Sequence, residues 1–279
     1  MAAYLARTAP FGVLALTARC LGAVWYWVVP IRNVVARDNI EHALDMSPAR
    51  SKKLTRQMYN HLCLSVLELF RYGTNRGLSL PYTVFGEEHL LSLMRSGQGA
   101  FLLTAHLGNW EVLARYGQAL PGPVKIVRKH LSVSFWQDLW LALRAGGPEQ
   151  IKPDATAQDL VRFVKDGGMV GMVLDQHANE SSAVRSPFFG RAASTSTGMV
   201  RLARALQAPI IPVFSCRQGD RHLIKIGAPF LIERSCSRSQ DVENGVRACL
   251  KHVEAAIEDS PEQWLWMHRR WKSKSEQAD

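Results

Sequence analysis

The chain is short of several things, and each shortage removes a class of function. Cysteine is scarce and odd in number. Cys20, Cys63, Cys216, Cys236 and Cys249 are widely scattered and form no CxxC pair. That pattern argues against a disulfide framework or a zinc knuckle and fits reduced thiols in a cytosol-facing protein. There is no Gly-x-Ser-x-Gly elbow, so a serine hydrolase lacks its nucleophile. There is no Gly-x4-Gly-Lys-Ser/Thr loop, so a nucleoside triphosphatase lacks its phosphate cradle. No internal repeat, low-complexity tract or long linker divides the 279 residues, which suit one domain with an appended segment.

Acidic residues are missing altogether from the first 37 positions, where Arg7, Arg19, Arg32 and Arg37 surround the apolar run PFGVLALTARCLGAVWYWVVPIR. Three readings compete for it. A signal peptide would need a cleavage site and no mid-stretch Arg. A spanning helix from Pro10 to Val29 is long enough, but Arg19 near its middle costs roughly 2.5–3.5 kcal/mol on insertion scales. An interfacial helix puts Trp25, Tyr26 and Trp27 at headgroup depth and lets the arginines reach phosphates. Residues 1–37 are therefore expected to associate with a membrane, in plane rather than across it, with residues 38–279 forming the main domain.

What is present is a globular composition, 47% hydrophobic and 21% charged, with a net charge of +10. That surplus implies an anionic partner: nucleic acid, an anionic membrane surface or a phosphorylated substrate. Residues 38–72 predict a short helix, then a longer one from Ser47-Pro48 on which Leu54, Met58, His61, Leu62 and Ser65 share a face. From residue 100 strands and helices alternate. Strands are predicted at 100–105, 124–128, 169–174, 209–215 and 221–227. Helices are predicted at 109–120, 131–145, 156–165, 196–206 and 241–258, with a loop from Asp175 to Ser194. This alternation predicts an α/β fold, a mostly parallel mixed sheet flanked by helices, with an N-terminal membrane-associating helix.

One stretch carries chemistry. In FLLTAHLGNWEVLARYGQAL, His106 follows a buried strand and Glu111 stands five residues on. On one continuous helix they would point about 140° apart, since each residue turns roughly 100°. A turn at Gly108 with Asn109 capping the next helix lets the carboxylate reach back to the imidazole. An acid behind a histidine is the arrangement of an oriented general base. The alternative is a turn histidine bonded to a capping acid, and spacing alone does not choose. No second ligand stands near His106 at zincin spacing. A base without its own nucleophile must activate a substrate group, most simply a hydroxyl that attacks a thioester.

HLGNWE resembles the His-x4-acid motif of glycerolipid-type acyltransferases, in the Glu form of the late acyltransferases of lipid A biosynthesis. IVRKH, MVGMVLDQ, PFFGRAASTSTGMVRLA, APIIPVF and PEQWLWMHRRWK resemble further blocks of that family in the same order, and RNVVARDNIEHAL its post-anchor segment. The resemblance covers roughly residues 30 to 272. It implies a bacterial enzyme on the cytoplasmic face of the inner membrane that needs no metal or organic cofactor. His106 would deprotonate an acceptor hydroxyl, oriented by Glu111, and the oxygen would attack the thioester of an acyl carrier protein without an acyl-enzyme. The acceptor would be a phosphorylated glycolipid, a lipid A precursor, and the chain's basic surface would meet an anionic membrane, not nucleic acid. The candidate substrate-binding residues are Asn109, Arg128, Asp175, Gln176 and Arg191. Asn109 stabilises an oxyanion or caps the helix. Arg128 and Arg191 hold phosphate or form surface ion pairs. Asp175 and Gln176 orient arginines or sugar hydroxyls, or cap the next segment. Phe188 and Phe189 line an acyl groove or pack in the core. WLWMHRRWK, basic and aromatic together, suits anionic headgroups or an acidic carrier protein. His130, His177 and His268 read as ordinary polar residues.

Three further readings stay open on sequence: another lipid acceptor, such as a lysophospholipid; a non-catalytic lipid- or nucleic-acid-binding protein; and a thioester hydrolase.

Overall fold

A computed structural model describes residues 9–73, 81–127, 149–151, 156–179 and 182–272. The predicted helix at 131–145, Arg128 and His130 lie outside the described residues.

Three helices come first: α1 (Phe11–Trp27), α2 (Asn33–Leu44) and α3 (Pro48–Gly73). Helix α1 lies along α3, and Gly22 sits at their closest approach, where a Cβ would collide with the side chain and backbone of Asn60. Leu14, Ala18, Gly22 and Tyr26 recur every four residues and form the buried stripe of α1. Its opposite face leaves Val13, Leu16, Val24 and Trp27 exposed. Among the described residues no helix is long and apolar enough to cross a membrane. Helix α2 runs across position 37, so no structural break falls there.

Strand β1 (Tyr82–Phe85) and helix α4 (Glu87–Arg95) lead into β2 (Ala100–Thr104), α5 (Trp110–Ala119), β3 (Val124–Val127), β4 (Glu149–Ile151), α6 (Ala157–Lys165) and β5 (Met169–Val173). Then come β6 (Ala183–Phe188), β7 (Arg191–Ser196), α7 (Gly198–Leu206), β8 (Ile210–Gln218), β9 (Arg221–Ile226) and α8 (Arg238–Asp259). Seven strands make one sheet in the order β1-β9-β8-β2-β5-β3-β4. Strands β8, β2, β5, β3 and β4 run parallel, β9 is antiparallel to β8, and β1 is parallel to β9. The mostly parallel mixed α/β sheet expected from the alternation is therefore present. Its central strands are apolar on both faces, as a sheet covered by helices on both sides requires.

Two expectations need correction. The stretch from Asp175 to Ser194 is not all loop, because β6 and β7 pair antiparallel as a separate hairpin, Ala183 opposite Ser196 through Phe188 opposite Arg191. Its Ser, Thr and Ala content and Pro187 hide the strand signal, since Pro is confined to sheet edges. The WLWMHRRWK segment is not a surface patch. Trp264, Trp266, Arg270 and Trp271 are buried. Trp264 and Trp271 pack on Phe188 at ring separations of 5.7 and 5.6 Å. Arg270 donates to the Ser194 carbonyl and, at 2.6 Å, to Thr195 Oγ1, and stacks over the Phe188 ring. Each buried aromatic removes roughly 150–250 Å² from water, worth a few kcal/mol. For these residues that outweighs the charge signal, and Phe188 is core.

Candidate active site

Strands β2 and β5 pair in parallel with a constant offset, Ala100 with Met169 through Thr104 with Val173. Two residues beyond each strand stand His106 and Asp175, the next in-phase pair of the same register. Their meeting is thus dictated by strand pairing, at the carboxyl ends of central strands, where open α/β sheets place ligands. His106 Nδ1 lies 2.9 Å from Asp175 Oδ1. The backbone N–H of His106 donates to Asp175 Oδ2 at 2.8 Å, and Trp264 Nε1–H donates to the same oxygen at 2.8 Å.

Three donors therefore converge on one carboxylate that is almost wholly buried. Burial would raise its pKa, but the His106 charge and the hydrogen bonds from His106 and Trp264 prevail and hold it down at about 2. An ionised Asp175 accepts only, so Nδ1 of the neutral imidazole carries the proton and Nε2 keeps its lone pair. His106 is one-fifth exposed, enough to meet a substrate. Trp110 stands edge-on to its ring at 5.4 Å. Gln176 Nε2 lies 3.4 Å from both ring nitrogens.

The turn that carries His106 is clamped from two sides. Gly108 has φ +61°, and a Cβ there would collide with the Ser215 carbonyl oxygen within β8, so the position needs glycine. On the other side Leu265 N–H donates to the His106 carbonyl at 3.2 Å and Gly108 N–H to the Gln263 carbonyl at 3.0 Å. The C-terminal segment thus braces the backbone of the turn and supplies Trp264.

Asn109 caps α5, its Oδ1 accepting from Glu111 N–H at 3.2 Å. Its Nδ2 donates to Glu68 Oε2 at 2.8 Å, and the residue is buried. Of the two roles open for Asn109, the structure displays the cap. Glu68 is also gripped by both terminal nitrogens of Arg217 and by His222 Nε2 at 3.3 Å. Burial pushes the Glu68 carboxyl up, but Arg217 and His222 overcome it and bring it to about 2.

The carboxylate on Nδ1 is Asp175. Glu111, put forward by its spacing for that duty, stands buried in the first turn of α5. Its charge acts on Arg115, whose pKa burial lowers and Glu111 partly restores. Arg191 opens β7 with its side chain exposed on the hairpin. His268 is close enough to Asp175 and His106 to feel both charges, and its Nε2 accepts from His177 N–H at 3.0 Å.

Glu68, Trp264 and Arg217 escape a reading of short motifs. For Glu68 there was a signal. It extends the buried stripe of Leu54, Met58, His61, Leu62 and Ser65 by one turn, and a carboxylate on an apolar stripe demands a buried partner. Among the described residues no group of three or more His, Cys, Asp or Glu is placed to hold a metal ion.

With this geometry in place, comparison with known proteins is decisive. Residues 3–273 match the family described as bacterial lipid A biosynthesis acyltransferase. The chain belongs to that family. Among its relatives is the lipid A biosynthesis lauroyltransferase of Escherichia coli strain K12, 24% identical over 274 residues, 96% of this chain and 88% of that protein. The lipid A biosynthesis palmitoleoyltransferase of the same organism is 21% identical over 270 residues, covering 95% and 87%. Among solved structures, the 1-acyl-sn-glycerophosphate acyltransferase of Thermotoga maritima aligns over 89% of this chain and 97% of its own, with 11% identity and a TM-score of 0.39. In this lipid A acyltransferase family member, the family match spans the N-terminal helices as well as the sheet and site.

Proposed function

We propose that the chain transfers a fatty acyl group from the thioester of an acyl carrier protein to a hydroxyl of a phosphorylated glycolipid, a lipid A precursor, at the cytoplasmic face of the bacterial inner membrane. The observation that carries the chemistry is the His106–Asp175 contact, which leaves Nε2 as a base at the sheet's carboxyl edge. Nε2 takes the proton of the acceptor hydroxyl as its oxygen bonds to the thioester carbonyl carbon. The oxyanion collapses, the C–S bond breaks, and the imidazolium returns the proton to the departing thiolate. Asp175 fixes the tautomer and stabilises the imidazolium. Glu111 contributes a second negative charge from the first turn of α5. Asn109 and Glu68 hold that turn, Gln176 contacts the imidazole, and Arg128 and Arg191 are assigned to acceptor phosphates. The exposed apolar face of α1 supports docking in the plane of an anionic membrane. The chemistry asks for no metal or organic cofactor.

The test is acyl transfer into lipid extract from the native bacterium, offered labelled acyl carrier protein or acyl coenzyme A, with products resolved by mass. The expected result is one labelled glycolipid, formed faster from the carrier protein, and a fall of roughly 10²–10⁴-fold in His106→Ala. Labelled lysophospholipid instead would transfer the activity to another acceptor. Thioester loss without lipid labelling would make the chain a hydrolase.

A further inference from the structure

A second site lies away from the sheet, where α1 crosses α3. On α3, Lys53, Arg56, Gln57 and Asn60 fall at i, i+3, i+4 and i+7 and share one face. On α1, Arg19 from the flank beside α3 and Trp27 from the edge of the exposed face complete the lining. These side chains line a cleft of about 270 Å³. The Gly22–Asn60 contact brings the two backbones together beside it. Three cations share this cleft with no carboxylate on its walls. The ion pairs among the described residues lie elsewhere in the fold. Like charges held together in this way favour an anion, and arginine's planar fork favours phosphate in particular.

The surroundings say which phosphate. From the lip of the cleft an uncharged row runs along the solvent face of α1: Val13, Leu16, Val24, Trp27 and Val28 are 50%, 61%, 51%, 68% and 70% exposed. A free phosphate or a nucleic acid offers nothing to that row. A membrane phospholipid satisfies both features together, because a helix in the interface plane buries its apolar face below the headgroups and keeps its flank at their depth. Trp27, with a large apolar body and one N–H, suits that boundary.

We propose that this cleft is an anionic phospholipid headgroup site. Arg19, Lys53 and Arg56 take the lipid phosphate, and the acyl chains run along the Val24–Val28 face of α1. It rests on the reading that α1 lies in a membrane surface and is independent of the transfer chemistry. It gives that docking a lipid preference and a fixed rotation of the helix about its axis.

The test is sedimentation of the full chain with vesicles of phosphatidylcholine alone, with added phosphatidylglycerol, or with oleate at the same charge fraction. Wild type is compared with Arg19→Gln/Lys53→Gln/Arg56→Gln and with the charge-matched Arg221→Gln/Arg247→Gln/Lys251→Gln on β9 and α8. All substituted residues are exposed, so melting temperatures should match, and this is checked first. The site predicts tighter wild-type binding to phosphatidylglycerol than to oleate, and a loss of roughly fivefold per cation in the cleft variant, on the order of a hundredfold in all. The control triple should lose a few-fold at most. Equal binding to both anionic vesicles, or equal losses in the two triples, would overturn the headgroup site and leave in-plane docking standing. Absence of wild-type binding to every vesicle would overturn both.

Discussion

At the scale of single residues, the fold keeps several titratable groups in the form that suits their neighbours. His61 is buried, and burial together with the Arg217 charge lowers its pKa from 6.5 to about 4. Burial likewise lowers His268 to about 4, against the pull of Asp175. Both are neutral in the folded chain at pH 7, whereas in the unfolded chain they bind a proton as pH falls through 6.5. The unfolded state therefore gains, and stability falls between pH 6.5 and 4. Asp175 and Glu68 have folded values depressed to about 2, so their contributions hold above the ordinary carboxylate range and disappear only below it. Melting temperature followed from pH 7.5 to 4.5 should decline from about pH 6.5 downward, reporting a loss of unfolding free energy on the order of a few kcal/mol. His61→Gln should flatten that limb. A level melting temperature across the window in wild type would show that these histidines are not held neutral.

At the scale of elements, what was legible depended on whether the signal was local. Strands β2, β3, β5, β8 and β9 fall within a few residues of their predicted spans, because apolar runs between glycines and prolines carry their own signal. The hairpin β6–β7 gave no such signal, with Pro187 inside one strand and Ala-Ala-Ser-Thr-Ser filling the other. The Trp264–Trp271 segment shows a local pattern that misleads: aromatic and basic residues mix, and only the packed fold reveals which face is inside. The Asp175 contact with His106 spans 69 residues and follows from register, which no spacing rule expresses. Glu111 is visible to a short motif, whereas the pairing of Asp175 with His106 becomes visible only once β2 and β5 are placed side by side. Helix α1 offers a test at this scale. Gly22→Val would force it away from Asn60, so limited proteolysis should cut α1 sooner while the main melting transition shifts little. Unchanged protease resistance would show that α1 does not need the close crossing.

At the scale of the whole molecule, the parallel sheet brings together groups from distant parts of the sequence. His106 comes from the β2 edge, Asp175 from β5, the Ser215 brace from β8 and Trp264 from the C-terminal segment. Family membership and the α/β architecture were both readable from ordered motif blocks. Asp175 was among the candidate site residues, but its place behind His106 was not readable, because that contact belongs to the assembled sheet. The account rests on that acid, and Asp175→Asn is its most direct test. The backbone N–H of His106 and the indole N–H of Trp264 both need an acceptor at the Oδ2 position. The amide oxygen must therefore sit there, which turns the amide nitrogen towards Nδ1. A donor facing Nδ1 moves the imidazole proton to Nε2 and removes the lone pair that would accept the substrate proton. Acyl transfer by Asp175→Asn, measured beside wild type and His106→Ala on folded protein, should fall by about a hundredfold or more, approaching His106→Ala. Transfer within a few-fold of wild type would contradict the account and assign the base's orientation elsewhere.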